Sequence, residues 1–294
     1  MATLRELKGR IGSVASSEKL TGAMKMISSA KMHKAEQSLR RLKPFRSQIE
    51  SIIGNVLTAD AEVNSPLLEA REVKQVSIVV FGSDDGLCGA YNVNIFKQLL
   101  QHIAEVRKSE GEDVKFCIYP VGAKIAKAVA RICSDTVEMS VIDGIDSKTS
   151  GEGIRDFTVQ LQEAFTEGKT DRVDILYMNF QSASRQRPTV DVLLPVVASS
   201  FASDGEVECM RPYIFEPSPS VIFNSVLPMF ILAVMQDAFT ENRASELAAR
   251  IMAMQSANDN AKKLLEELQL EYNKLRQQGI TNELLDILGG QVRD

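Results

Sequence analysis

Tryptophan is absent from the 294 residues, histidine occurs twice, and aromatic side chains make up only 6%. That scarcity, beside 11 methionines and 44% hydrophobic residues, suits long helices packed through small and unbranched side chains better than an all-β sandwich. The four cysteines, Cys88, Cys117, Cys133 and Cys209, form no CxxC pair and follow no secretory signal. This argues against a disulfide framework or zinc cluster and for a reducing compartment. His33 and His102 lack an HxxxH or HExxH partner and read as surface or partly buried helix residues rather than metal ligands. No metal or other cofactor is expected. Long apolar runs are also missing: VIFNSVLPMFILAV at 221–234 is broken by Asn224, Ser225 and Pro228 and falls short of the ~20 residues of a membrane span. Any membrane association is expected to be indirect. The opening MATLRELKGRIGSV places Thr3 three residues before Glu6, a helix-capping pattern, and reads as structure rather than a targeting peptide.

What the sequence does contain is helical periodicity at both ends. From Leu4 to Leu57 apolar residues recur at steps of three and four: Leu4, Leu7, Ile11, Val14, Leu20, Met24, Ile27, Ala35, Leu39, Leu42, Phe45, Ile49, Ile52 and Val56. This heptad-like stripe has one weak point near Ser16 to Glu18, and Pro44 is expected to kink the helix without ending it. Such a helix would be ~80 Å long. At the other end, Ser218 and Pro219 supply an N-cap and a first helical residue, and only Pro228 and Gly279 interrupt before Gly289 and Gly290. That helix could run ~100 Å. Its Ala-rich middle permits close approach of another helix, and Leu264, Leu268, Tyr272 and Leu275 follow at helical spacing. The simplest arrangement pairs the two ends as an antiparallel coiled coil, because the intervening segment brings the chain back; the alternative is two separate dimerisation arms.

The middle reads as α/β. Strands are expected at 73–81, 114–122 and 172–180, helices at 93–108, 123–132 and 153–167, and an edge strand at 188–197. Strand, helix, strand order favours a small parallel sheet with helices on its faces. The predicted organisation is therefore α/β: a helix over 1–60, a Rossmann-like domain over 73–215, and a helix over 217–290.

The loop SDDGLCGAYN follows the first strand and opens a helix, the position of many phosphate sites. It is neither a P-loop nor GxGxxG, and Asp84 and Asp85 would repel a phosphate, so a turn serving the fold or a partner is the better reading. No GxSxG, His pair or Cys beside a base is present, and the residues read as a non-enzyme. Charge is uneven: residues 1–50 hold eleven basic and four acidic groups, a net of +7, so the remaining residues sum to −12 within the overall −5. Without interleaved aromatics this basic helix favours an acidic protein partner over nucleic acid.

The strings LTGAMKMISSAKM, SDDGLCGAYN, SELAARIMAMQSANDNA and YNKLRQQGITNELLDILGG, in this order and spanning the chain, resemble the gamma subunit of bacterial F-type rotary ATP synthases. The resemblance implies a central rotor shaft that couples ion flow through the c ring to conformational cycling of catalytic beta subunits. Partners would be the alpha and beta subunits of the hexameric ring, the epsilon subunit and the c ring, with nucleotide and Mg²⁺ sites on those neighbours. It implies a peripheral location on the cytoplasmic side of the bacterial inner membrane, with contact to the membrane only through the ion-translocating rotor. By the same resemblance, Met24 and Lys25 would face an acidic lever segment of beta, and Arg276, Gln277 and Thr281 a loop of beta. The apolar tip Leu284, Leu285, Ile287 and Leu288 would slide in a hydrophobic collar of the ring. The family loop usually carries Arg or Lys where Asp85 stands, the chain ends in QVRD soon after Gly290, and the Cys-bearing insert of chloroplast gamma subunits is not seen. The alternative function is a nucleotide-binding α/β enzyme with coiled-coil arms.

Overall fold

A computed structural model of the chain describes residues 3–57, 64–142, 144–146, 149, 151–197, 201 and 214–291. Cys209, residues 58–60 at the end of the first expected helix, and Val292 to Asp294 of the QVRD string lie outside the described residues. The molecule groups into two compact units, residues 1–30 with 250–294 and residues 31–249, so the boundaries fall inside the two long helices.

Those helices are α1, Leu4–Leu57, and α5, Pro219–Gln291. The capping pattern at the start of α1 is realised in both directions: Thr3 N–H donates to Glu6 Oε2 at 2.8 Å and Glu6 N–H to Thr3 Oγ1 at 3.3 Å, satisfying donors that the helix end leaves orphaned. At the weak point, the hydroxyls of Ser16 and Ser17 bond carbonyls one turn back, and α1 runs on through Pro44. Ser218 Oγ accepts from Val221 N–H at 3.4 Å, and α5 continues through Pro228.

Between them lie β1 Gln75–Phe81, α2 Tyr91–Glu110, β2 Lys115–Val121, α3 Ala123–Val129, β3 Val137–Met139, α4 Gly151–Thr166, β4 Arg172–Ser182 and β5 Arg185–Leu194. The five-stranded sheet has the order β3-β2-β1-β4-β5. β1, β2, β3 and β4 run parallel, whereas β5 folds back on β4 as an antiparallel hairpin. The expected small parallel sheet is therefore mixed. The expected 188–197 strand begins earlier, at Arg185, because Ser182 to Arg185 make a tight turn that carries the pairing through. β3 was not expected: three residues give too short a run for periodicity to register.

Alternation along the strands splits the core in two. Val79, Phe81, Val173 and Ile175 face α4 and the α1 and α5 side chains Ile53, Val56, Phe223, Leu227 and Ile231. Ile78, Val80, Phe116, Ile118 and Leu176 face α2 and α3. The most apolar 18-residue window of α5 reaches a mean hydropathy of 1.6, enough by length and composition for a membrane span. Its Phe223, Leu227, Ile231 and Met235 are instead fully buried in the protein's own core.

His102 differs from its reading as a surface or partly buried residue. It is 6% exposed, with Nε2 2.7 Å from Asp174 Oδ2, while Arg172 Nε donates to Asp174 Oδ1 at 2.8 Å. Asp174 is fully buried, and the polar imidazole follows it inside because a buried carboxylate requires partners. His33 stays at the surface beside Gln37. Cys88, Cys117 and Cys133 are free thiols.

Candidate partner-contact surface

In the unit of residues 1–30 and 250–294, a line of less exposed positions on α1 runs through Leu7, Ile11, Val14, Glu18, Thr21, Lys25 and Ser28, with Ala15, Gly22 and Met24 partly buried beside it. The line alternates in steps of four and three without interruption, the seam of a coiled coil. On α5 the matching line runs through Met254, Asn258, Ala261, Leu265, Leu268, Tyr272 and Leu275. Asn258 Nδ2 donates to the Glu18 carbonyl at 2.7 Å and to Thr21 Oγ1 at 3.3 Å, fixing which residues face each other. In the unit of residues 31–249, Ala35 and Leu39 pack with Leu247 and Ala244, and Arg46 Nη1 pairs with Asp237 Oδ2 at 3.0 Å. Rising numbers on α1 meet falling numbers on α5, so the helices are antiparallel there.

The seam corrects the stripe read from apolar residues alone. Leu20, Ile27, Phe45 and Ile52 are 43–64% exposed, while Ser28 and Ile53 are buried in their place; likewise Leu264 is 40% exposed and Leu265 takes the seam position. An apolar count cannot see that Glu18, Thr21, Lys25 and Ser28 hold seam positions, because their polar ends mask the 3.5-residue period.

Of the residues singled out by resemblance, Met24 and Lys25 are half-buried, with Lys25 on the seam and Met24 beside it. Met26, 70% exposed, is the more open neighbour. Arg276, Gln277 and Thr281 are exposed, and Thr281 Oγ1 donates to the Gln277 carbonyl on its own helix at 2.9 Å. Leu284, Leu285, Ile287 and Leu288 are 55–63% exposed, with Ile280 at 50% one turn before them. Four to five large apolar side chains on one helix end, none covered within its own unit, make a surface that water does not favour.

The SDDGLCGAYN loop is filled by its own bonds. Asp84 Oδ1 accepts from Ala123 N–H at 2.8 Å, taking the first free donor of α3. Ser83 N–H donates to Asn92 Oδ1 at 3.1 Å, and Asn92 Nδ2 donates back to Ser83 Oγ at 2.7 Å. A Cβ at Gly82 would stand 2.5 Å from Ile125 Cβ and Cγ2, and one at Gly122, whose φ is +120°, 2.9 Å from the Ser83 backbone. These glycines permit close packing, Gly82 on the Ile125 side chain and Gly122 on the Ser83 backbone, rather than approach to a phosphate, which disfavours the enzyme alternative.

Sequence reasoning missed a polar joint between α5 and the sheet. Tyr91 OH donates to Asn242 Oδ1 at 2.6 Å, Asn242 Nδ2 donates to the Gly82 carbonyl at 3.2 Å, and Ser245 Oγ donates to the Met178 carbonyl at 2.9 Å. Asn179 Nδ2 donates to Glu241 Oε2 at 2.8 Å. Burial, reinforced by the charge of Asp237, raises the Glu241 carboxyl above the usual range, against the lowering pull of Lys43 and Arg46. The available signal was Asp237, Glu241, Asn242 and Ser245 recurring at helical spacing within an otherwise apolar, Ala-rich helix.

Comparison with known proteins agrees with this architecture. The sequence profile of the ATP synthase family matches residues 3–292. The ATP synthase gamma chain of Bacteroides thetaiotaomicron is 39% identical over all of both chains, and that of Bacteroides fragilis is 40% identical over 99% of this chain and all of its own. Among solved structures, the rotor of the Euglena gracilis mitochondrial ATP synthase superposes with a TM-score of 0.61, at 21% identity, over 94% of this chain and 98% of that one. The central stalk and c ring of the Tetrahymena thermophila mitochondrial enzyme gives 0.58 at 21% identity, over 81% and 99%. The structural likenesses establish the fold, and the full-length sequence relatives establish that this chain belongs to the ATP synthase gamma chain family.

Proposed function

We infer that the chain is the central rotor shaft of an F-type ATP synthase, a non-catalytic subunit that transmits rotation between the c ring and the catalytic beta subunits. The observation carrying this reading is the end of α5 in a member of the gamma chain family: a helix whose last turns expose Leu284, Leu285, Ile287 and Leu288. A stiff helix pair that presents a different face to each of three surrounding neighbours can bias a bistable domain in each in turn, and needs no bond-making residue.

In this reading the apolar tip rides in a collar of the alpha and beta ring. Arg276, Gln277 and Thr281 meet a beta loop, Met24 and Lys25 face an acidic beta segment, and the α/β unit meets epsilon and the c ring. The +7 balance of residues 1–50 supports an acidic partner there. The subunit would be peripheral, held at the cytoplasmic face of the bacterial inner membrane through the rotor.

Co-expression with the native alpha and beta subunits tests the assignment. A complex that assembles and makes ATP without this chain would sink it. The finer contact is tested by Met24→Lys in the assembled enzyme: ATP-driven proton pumping should drop while assembly persists, and unchanged pumping would reject the contact with beta.

A further inference from the structure

Within the unit of residues 31–249, a cavity of about 550 Å³ opens between α1, α5 and the start of α4. Its volume lies in the range of small-molecule sites. Lys31, Lys34 and Arg41 enter it from one face of α1, at steps of three and seven residues, and Arg243 enters from α5. No carboxylate is among its lining residues, and none of these four cations takes part in an ion pair within 4 Å among the described residues. Phe239 and Ile154 contribute apolar wall. The nearby hydroxyls are already spent: Ser38 Oγ donates to the Lys34 carbonyl at 3.1 Å, Thr240 Oγ1 to the Gln236 carbonyl at 2.7 Å, and Thr149 Oγ1 to Asp146 Oδ1 at 3.0 Å, a carboxylate just behind the wall. Recognition here therefore rests on charge and on the two guanidinium forks.

Like charges gathered around one cavity repel each other, and an anion among them converts that repulsion into attraction. Guanidinium forks match phosphate oxygens in pairs, and lysines add point charge. A monoanion would leave most of the four charges uncompensated, whereas a short phosphate chain of three to four negative charges balances them. We propose that this cavity is a binding site for a small multivalent phosphate anion, of the class of pyrophosphate, tripolyphosphate or the triphosphate chain of a nucleotide. The site is distinct from the SDDGLCGAYN loop, where Asp84 occupies the corresponding donor.

The test is titration calorimetry of the full chain with sodium tripolyphosphate at low salt. Wild type should bind one equivalent, inorganic phosphate should bind at least tenfold more weakly, and added salt should weaken both. Arg41→Gln with Arg243→Gln should weaken tripolyphosphate at least tenfold, which is ~1.4 kcal/mol. Arg5→Gln with Arg10→Gln, which removes the same charge from exposed positions elsewhere, should leave binding within twofold of wild type. Should circular dichroism show that the Arg243 variant misfolds, the triple variant Lys31→Gln, Lys34→Gln, Arg41→Gln, all at exposed positions, decides in the same way. Absent binding by wild type, or equal loss in the Arg5 and Arg10 control, would overturn the site. A glutamate-rich peptide of equal charge binding as tightly as tripolyphosphate would overturn the phosphate assignment in favour of an acidic protein segment.

Discussion

Asn258 holds Glu18 across the helix pair: its side-chain amide donates to the Glu18 carbonyl at 2.7 Å from a seam position that is only 8% exposed. A Cβ added at Gly22 would stand 3.4 Å from Asn258 Nδ2, ordinary van der Waals contact. Gly22→Ala should therefore be neutral to stabilising, by up to ~1 kcal/mol from helix propensity. Gly22→Val should displace Asn258 and lower the thermal midpoint. Asn258→Ala should cost about 1 kcal/mol by itself and reduce the penalty of Gly22→Val in the double variant. Thermal denaturation followed by circular dichroism measures all four.

Gly82→Ala should be poorly tolerated. Its new methyl would have to fit 2.5 Å from Ile125 Cβ and Cγ2, and Ile125 is fully buried between α3 and the sheet. Overpacking of this kind costs roughly 1–3 kcal/mol. In urea unfolding, Gly82→Ala with Ile125→Ala should lose less stability than the two single losses combined, because the truncated side chain makes room.

Glu241 predicts a pH dependence. Burial, then the Asp237 charge, raises its carboxyl in the folded state, while Lys43, Arg46 and a hydrogen bond from the Phe180 backbone oppose the rise. A raised acid binds its proton more tightly folded than unfolded. Its contribution to stability is therefore full below the unfolded carboxylate range and is lost as pH rises through the folded value. Glu241→Gln keeps an acceptor for Asn179 and removes the charge, so its thermal midpoint should exceed wild type at about pH 8, with the advantage shrinking toward about pH 4. A pH-independent difference would contradict this origin.

The exposed tip separates stability from function. Leu285 and Leu288 are each 60% exposed, so Leu285→Asp with Leu288→Asp should change the stability of the isolated chain by no more than about 0.5 kcal/mol per site. In the assembled enzyme the same pair should impair assembly or coupled ATP synthesis if the tip rides in the apolar collar proposed for the ring, because two carboxylates would then face it. Normal coupling would remove the tip from the transmission path.

Much of the architecture was legible because it is periodic. Thr3 and Glu6 marked the start of α1, Ser218 marked that of α5, and short, mostly apolar runs, rich in Val and Ile for β1 and in mixed apolar residues for β4, marked those strands. The exact seam was not legible, since Glu18, Thr21, Lys25 and Ser28 occupy it with polar groups and Leu20 and Ile27 lie off it. The partner contacts proposed for Met24 and Arg276 rest on motif likeness alone, since neither helical periodicity nor burial says what stands opposite an exposed side chain.

By itself the sequence determined two long terminal helices, an α/β segment between them, a basic first helix and the family, all of which are written in local spacing or ordered motifs. Tertiary structure decided what depends on distant residues meeting. It made the sheet mixed, drew His102 inside to Asp174, and tied Asn242 to Gly82 and Glu241 to Asn179. It also gathered Lys31, Lys34, Arg41 and Arg243 around one cavity. Those outcomes turn on desolvation, which a buried polar group escapes only by finding a partner, and that partner is specified by the fold and not by the neighbouring sequence.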